Sequence, residues 1–171
     1  MPRRSSRPPG ASAYEAGLRH LARRAHSRVE LRRKLLRRGY DAEDVDSAMA
    51  RLAGEGYLDD AGFAAGHVRR RSASLGPLAL SAELAARGVG REVAGAAVAA
   101  LGREAQLTAA TRLVVRQAAR KPPAGYKELL ESAGARLLRR GFSPAVAREA
   151  CRAVWLGMAG TSALGPSAGA S

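Results

Sequence analysis

Arginine is the residue type with the most chemistry to offer in this chain. Lys and Arg together number 29 of 171 residues against 15 Asp and Glu, for a formal charge of +14, and only Lys34, Lys121 and Lys127 are lysines. A guanidinium stays charged at physiological pH and grips phosphate or carboxylate with two parallel N–H donors. The chemistry on offer is recognition of anions, and a polyanion is the natural neighbour of such a charge. The charge is laid out in blocks. Residues 19–38 hold nine cations against one acid, Glu30. Residues 41–60 hold Asp41, Glu43, Asp44, Asp46, Glu55, Asp59 and Asp60 against Arg51. Arg69, Arg70 and Arg71 follow as a run. Arg112, Arg116 and Arg120 recur every fourth residue, which puts them on one face of a helix.

No catalytic set accompanies these cations. His20, His26 and His67 match no metal-ligand spacing, and there is one Cys to help them. The Ser residues lack a nucleophile elbow, and Gly54-Glu55-Gly56 does not spell a phosphate loop. Asp59 reads as a helix cap rather than half of an acid–base pair. Cys151 reads as a core filler, and Tyr14, Tyr40, Tyr57, Tyr126 and Trp155 are too scattered for a base-stacking platform, so core or boundary places are expected for them. An enzyme is therefore not expected, nor a cofactor or a metal. The single Cys excludes an intramolecular disulfide framework and fits a reducing compartment. No apolar run approaches the roughly 18 residues of a membrane span, and the basic start MPRRSSRPPGAS leads into no apolar stretch. A cytoplasmic protein without membrane contact is expected, in monomeric form.

The elements that must carry the arginines are helices. Ala, Leu and Arg dominate, and β-branched and aromatic residues are scarce, which excludes an all-β fold. Three stretches share one pattern: KLLRRGYDAEDVDSAMARL (34–52), ELAARGVGREVAGAAVAAL (83–101) and RLLRRGFSPAVAREACRAV (136–154). Their central glycines are Gly39, Gly88 and Gly141. Four residues earlier stands Leu35, Leu84 or Leu137, and one earlier Arg38, Arg87 or Arg140, where a cation suits the helix dipole. One residue later stands Tyr40, Val89 or Phe142. Each stretch reads as helix, glycine stop in the left-handed conformation, helix. Asp41 and Ser143 suit the N-cap of the following helix, with Pro144 at its first position, and Gly90 is a weaker cap. Ser27 with Glu30 reads as a capping box, Gly76-Pro77 as the counterpart start, and Pro122-Pro123 as a break.

A further helical stretch precedes each pair, at 13–25, 60–73 and 103–119. The expectation is an all-α chain of three tandem three-helix repeats, 12–58, 59–102 and 103–157, in an elongated curved array. Tails at 1–11 and 158–171 are expected to be disordered. A helix–turn–helix reader over 28–52 is disfavoured, because its second helix carries Asp44 and Asp46, with Glu55 beyond its end, and a phosphate-lined groove repels them.

The chain resembles the RecX family, regulators of the RecA recombinase. Three stretches carry the resemblance: LARRAHSRVELRRKLLRRGYDAEDVDSAMARLAGEGYLDD (21–60), FAAGHVRRR…GPLALSAELAARGV (63–89) and LLRRGFSPAVAREA (137–150). Together they cover most of 13–154. The chain departs from the family pattern at Ala61-Gly62, at Ser74-Leu75 and at Leu78-Ala79-Leu80, where the family tends to carry charge. The resemblance implies tandem three-helix repeats and a protein that binds the RecA filament on single-stranded DNA in its helical groove. It further implies inhibition of RecA's ATP hydrolysis, strand exchange and coprotease activity, and so of recombination and the SOS response. Double-stranded DNA is the second nucleic acid expected. On this reading Arg28, Arg32, Arg33, Arg37, Arg69, Arg70, Arg71, Arg112, Arg116 and Arg120 face DNA phosphate or acidic RecA loops, and Asp44, Asp46, Asp59 and Asp60 face basic RecA surface. The alternative is a free-standing basic helical protein that binds nucleic acid without a recombinase.

Overall fold

The computed structural model describes residues 11–163, with side-chain surroundings through residue 159. Among these residues every regular element is a helix. They are α1 (Ala13–Arg23), α2 (Arg28–Arg37), α3 (Ala42–Gly54), α4 (Asp60–Arg71), α5 (Pro77–Ala86), α6 (Arg91–Ala99) and α7 (Arg103–Arg120), followed by α8 and α9 (Pro144–Ala163). Helix α8 is composite: an α turn at Tyr126–Leu129, a π turn at Leu130–Gly134 and an α turn at Ala135–Arg139. The helices fall into three consecutive groups of three, as the sequence repeat requires. The last one runs to Ala163, past the expected close of the third repeat at 157. The rest of both expected tails, 1–10 and 164–171, lies outside the described residues.

The repeat glycines do what their spacing asks. Gly39, Gly88 and Gly141 have φ of 86°, 77° and 82°, and Gly56, which the pattern did not mark, has 78°. At Gly88, Gly141 and Gly56 the helix end is closed by a pair of bonds. One example is Phe142 N–H to Leu137 C=O at 3.1 Å with Gly141 N–H to Leu138 C=O at 2.9 Å. The apolar residue after each repeat glycine then folds back and is buried: Tyr40, Val89 and Phe142. The Leu four residues before each is buried as well.

The chain forms two compact units. Of the described residues, 11–67 and 82–97 form the first and 68–81 and 98–163 the second, so residues of the middle repeat are divided between them. In the first unit, α1, α2 and α3 enclose Ala16, Leu31, Leu35, Val45 and Leu52, with Tyr40 and Leu58 at the margin. Gly17 lets α1 close on α3, since a Cβ there would lie 2.7 Å from Leu52 Cδ1. In the second unit, α7, α8 and α9 enclose Val114, Leu129, Leu137, Phe142, Val146 and Cys151. Burial pushes the Cys151 thiol pKa up, as befits a core filler. Tyr57 departs from expectation: it is 54% exposed.

Capping corrects one sequence reading. Ser27 accepts from Glu30 N–H at 3.1 Å, but Glu30 does not close the box. Its carboxylate is drawn to Arg24 instead, while the Ser27 hydroxyl donates to the Arg87 carbonyl. The reciprocal box is at Ser12 and Glu15, with bonds of 3.2 and 3.0 Å. Asp41 stands at the N-cap of α3 without a side-chain cap bond, and Ser143 caps α9 through Val146 N–H at 3.2 Å.

The same joint is built once in each unit: the start of one repeat's second helix meets the arginine–glycine turn of the next repeat. In the first unit Ser27 bonds the Arg87 carbonyl, and Val29 fills the space where a Cβ on Gly88 would stand. In the second, Gly76 N–H donates to Arg140 C=O at 2.8 Å and Leu78 N–H to Gly141 C=O at 3.1 Å. A Cβ on Gly141 would lie 2.3 Å from Ala79 N. Orphan N–H groups at a helix start are thereby satisfied by orphan carbonyls at a helix end.

Candidate anion-binding surface

In the first unit part of the charge is neutralised locally. Arg32 donates through Nε and Nη2 to the two carboxylate oxygens of Asp46, at 2.7 and 3.2 Å, and holds that carboxyl below the usual range. The two had been expected to face different partners, and the α2–α3 packing joins them. Arg24 pairs with Glu30, and Arg87 reaches the same carboxylate at 3.9 Å. Burial works against the Glu30 carboxylate, yet the Arg24 bond holds its pKa low. Arg51 lies 3.9 Å over the Tyr14 ring and bonds Glu55 at 2.8 Å, tying α1 to the end of α3. Asp59 Oδ1 accepts from Ala61 N–H at 2.9 Å, as a cap should, and Asp60 Oδ1 accepts from Arg28 N–H at 2.9 Å at the start of α2. Of the four acids expected to face a partner, Asp44 alone has no such bond; it lies beside Tyr14 and Arg51 on the rim of a shallow groove.

Of the first-unit arginines expected to meet a partner, Arg28, Arg33 and Arg37 bond none of the described acids. Arg33 and Arg37 are exposed one turn apart on α2, opposite the buried Leu31 and Leu35.

In the second unit, Arg69, Arg70 and Arg71 close α4 as its exposed last turn. The α7 stripe divides. Arg112 turns to a groove with Ser72, Glu104 and Thr108. Arg116 and Arg120 line a separate cleft of about 510 Å3 with Lys121, Arg136 and Arg140, together with Ser74, Leu113 and Gln117. Five cations thus line one concavity whose wall holds no acid. Arg140 Nη1 donates to the Ser74 carbonyl at 3.1 Å, and Lys121 is 3.5 Å from Glu128. Arg116, Arg120 and Arg136 pair with no described residue. Sequence periodicity found Arg116 and Arg120. It missed Arg136, and it missed Arg140, whose place at a helix C-terminus explains it by the helix dipole alone.

The histidines are structural. His67 is buried, with Nε2 2.7 Å from Glu83 Oε2 and its ring stacked on Phe63. His26 is 3% exposed and bonds the Arg24 carbonyl at 2.8 Å, with its ring edge toward His20. The Nε2 atoms of both His20 and His26 are buried without a described partner. Among the described residues no three metal-ligating side chains gather. Burial lowers the pKa of both His20 and His26, helped for His20 by Arg38 and Lys34. A base whose folded pKa lies below its unfolded value favours the unfolded state once pH drops below the unfolded value, near 6.5. The thermal midpoint should therefore fall between about pH 7.5 and pH 5. A His20→Gln, His26→Gln chain should lose much of that dependence in a thermal melt followed by circular dichroism.

The three-helix groups, the repeated joint and the arginine faces can be compared with known proteins. The family model described as the first three-helix domain of RecX matches residues 13–52, and the second three-helix domain matches 59–98. A regulatory protein RecX of Xanthomonas axonopodis pv. citri is 39% identical over 153 residues, covering 88% of this chain and 93% of that one. The chain belongs to the RecX family. A RecX regulatory protein of Xanthomonas oryzae pv. oryzae is 46% identical over 99 residues, and that match spans 62% of its length. The crystal structure of RecX from Lactobacillus salivarius superposes with a TM-score of 0.78 at 20% identity, covering 84% of this chain and 95% of that one, which shows the fold. The two matched RecX domains coincide with α1–α3 and α4–α6. Of the residues that line the cleft on α7 and α8, Ser74 alone lies within a matched domain. None of the described helices is long and apolar enough to cross a membrane.

Proposed function

We propose that this chain binds the filament of a RecA-type recombinase on single-stranded DNA and lowers its activity. Membership of the RecX regulatory family carries the reading. The unneutralised arginines support it by offering contacts to DNA phosphate and to acidic loops of the recombinase: Arg28, Arg33 and Arg37 on α2, Arg69 and Arg70 on α4, and Arg112, Arg116 and Arg120 on α7. Asp44 is the acid left for basic recombinase surface. Each three-helix unit makes a modest contact, and linking three of them multiplies the effective concentration of the later ones. A chain lying in the filament groove blocks the second DNA strand and the substrates of the coprotease without doing chemistry of its own. It works in the cytoplasm, where the filament forms.

The test is ATP hydrolysis by the cognate recombinase on single-stranded DNA, followed while the full chain is added. Hydrolysis should fall in proportion to chain bound and recover when the chain is competed away. Unchanged hydrolysis at saturating chain would contradict the reading.

A further inference from the structure

We infer that the cleft between α7 and α8 is a seat for the phosphodiester backbone of single-stranded nucleic acid, usable with no protein partner present. The inference shares with the reading above the expectation that the chain meets single-stranded DNA, and its test needs no recombinase.

Two features of the cleft carry it. The first is uncompensated charge. Arg116, Arg120 and Arg136 pair with no described residue, Arg140 is engaged only by a neutral carbonyl, and the lining contains no carboxylate. In the first unit, by contrast, Arg24, Arg32 and Arg51 each bond an acid. Guanidiniums held together with no counter-charge create a field that only an external anion relieves.

The second is the arrangement of the cations in two rails. Arg116 and Arg120 stand one turn apart on α7. Arg136 and Arg140 stand one turn apart at the end of α8, where Arg140 N–H closes on Arg136 C=O at 3.1 Å. Four residues are about 6 Å of helix rise, so each rail presents two forks in succession. That suits a string of charges better than a single ion.

The rails are also held in place. Arg140 is anchored through its side chain to the Ser74 carbonyl and through its own carbonyl to Gly76 N–H, which fixes the α4–α5 connection as the cleft floor.

The lining distinguishes the kind of anion. An acidic protein segment binds through apolar or aromatic anchors with charges at the rim, and Leu113 is the one large apolar side chain here. No aromatic ring lines the cleft, so bases are not stacked and sequence is not read. What remains is the backbone, with Gln117 and Ser74 as neutral hydrogen-bonding groups beside the phosphates.

The experiment is fluorescence anisotropy of a labelled oligothymidylate with the full chain, between about 50 and 200 mM salt. Three chains are compared: wild type, the cleft triple Arg116→Gln, Arg120→Gln, Arg136→Gln, and a control triple Arg91→Gln, Arg148→Gln, Arg152→Gln. The control removes the same charge from exposed arginines outside the cleft. Each lost contact to a single strand lowers the slope of log affinity against log salt by about 0.7, so the cleft triple should lose about 2 from that slope. It should also bind at least about tenfold more weakly, while the control changes less than about threefold. Ser74→Asp sets an anion among the rails, leaves every arginine in place, and should weaken binding too.

Equal losses in the two triples would overturn the inference, as would a poly-glutamate that binds more tightly than the oligothymidylate. A cleft triple that binds as wild type would also overturn it. Inhibition of recombinase ATP hydrolysis is read separately, so that failure would leave the family reading standing.

Discussion

Gly141→Ala should destabilise the chain by about 2–5 kcal/mol, against about 1–2 kcal/mol for Gly56→Ala. Both glycines are left-handed, with φ of 82° and 78°, so both substitutions carry the same backbone penalty of about 1–2 kcal/mol. They differ in what a methyl group would meet. At Gly56 there is open space. At Gly141 a Cβ would stand 2.3 Å from Ala79 N and 2.7 Å from Ala79 Cβ, atoms fixed by the Leu78 N–H to Gly141 C=O bond. Backbone cannot swing aside as a side chain can, so the α5 start must lift off the turn. Urea unfolding of the two variants reads the difference directly. Equal midpoints would mean that the joint between the α5 start and the Gly141 turn contributes nothing to stability.

Arg33→Ala with Arg37→Ala should weaken inhibition of the recombinase by about tenfold or more, the equivalent of roughly 1.4 kcal/mol of binding. Both guanidiniums are exposed, stand one turn apart on α2 and pair with no described residue. Arg32→Ala should cost much less than half of that, although it too removes an exposed guanidinium from the same helix. Its guanidinium already holds Asp46 through two bonds, so little of it is available to a partner. The ratio of the two effects is the informative quantity, measured as the chain concentration that halves ATP hydrolysis, with helical circular dichroism as the folding check. If Arg32→Ala costs as much as the double variant, the α2 face is not what the filament touches.

The fold was largely legible in the sequence, because its main constraint is local. A left-handed helix stop nearly demands glycine, and Gly39, Gly88 and Gly141 carry a buried Leu four residues before and a buried apolar residue after. Periodicity around those stops located nine helices. What stayed hidden depends on partners far away in the chain. Ser27 reads as half of a capping box, but its hydroxyl answers to a carbonyl sixty residues on. Arg32 and Asp46 look like opposite patches until α2 packs on α3. The π turn at Leu130–Gly134 leaves only small residues, Ser132, Ala133 and Gly134, as its trace.

The candidate anion-binding surface was half legible for the same reason. A period of four shows that Arg116 and Arg120 share a face. Nothing local shows that Arg136 and Arg140 lie across from them, or that Arg112 lines a different groove. Charge counts overstate the first repeat, where acids in α2 and α3 take up Arg24, Arg32 and Arg51. They understate the third, where Arg116, Arg120 and Arg136 are left open.

The central claim is that the filament, and not bare DNA, is what this chain prefers. The direct measurement is its affinity for single-stranded DNA at about 150 mM salt, bare and coated with the cognate recombinase and ATP. At that ionic strength the Debye length is about 8 Å and contacts to phosphate alone are weakened, so protein contacts decide the comparison. The account predicts tighter binding to the coated DNA, by about tenfold or more. Equal or weaker binding to the coated DNA would contradict it, and would leave a basic helical protein of the RecX fold that binds nucleic acid for itself.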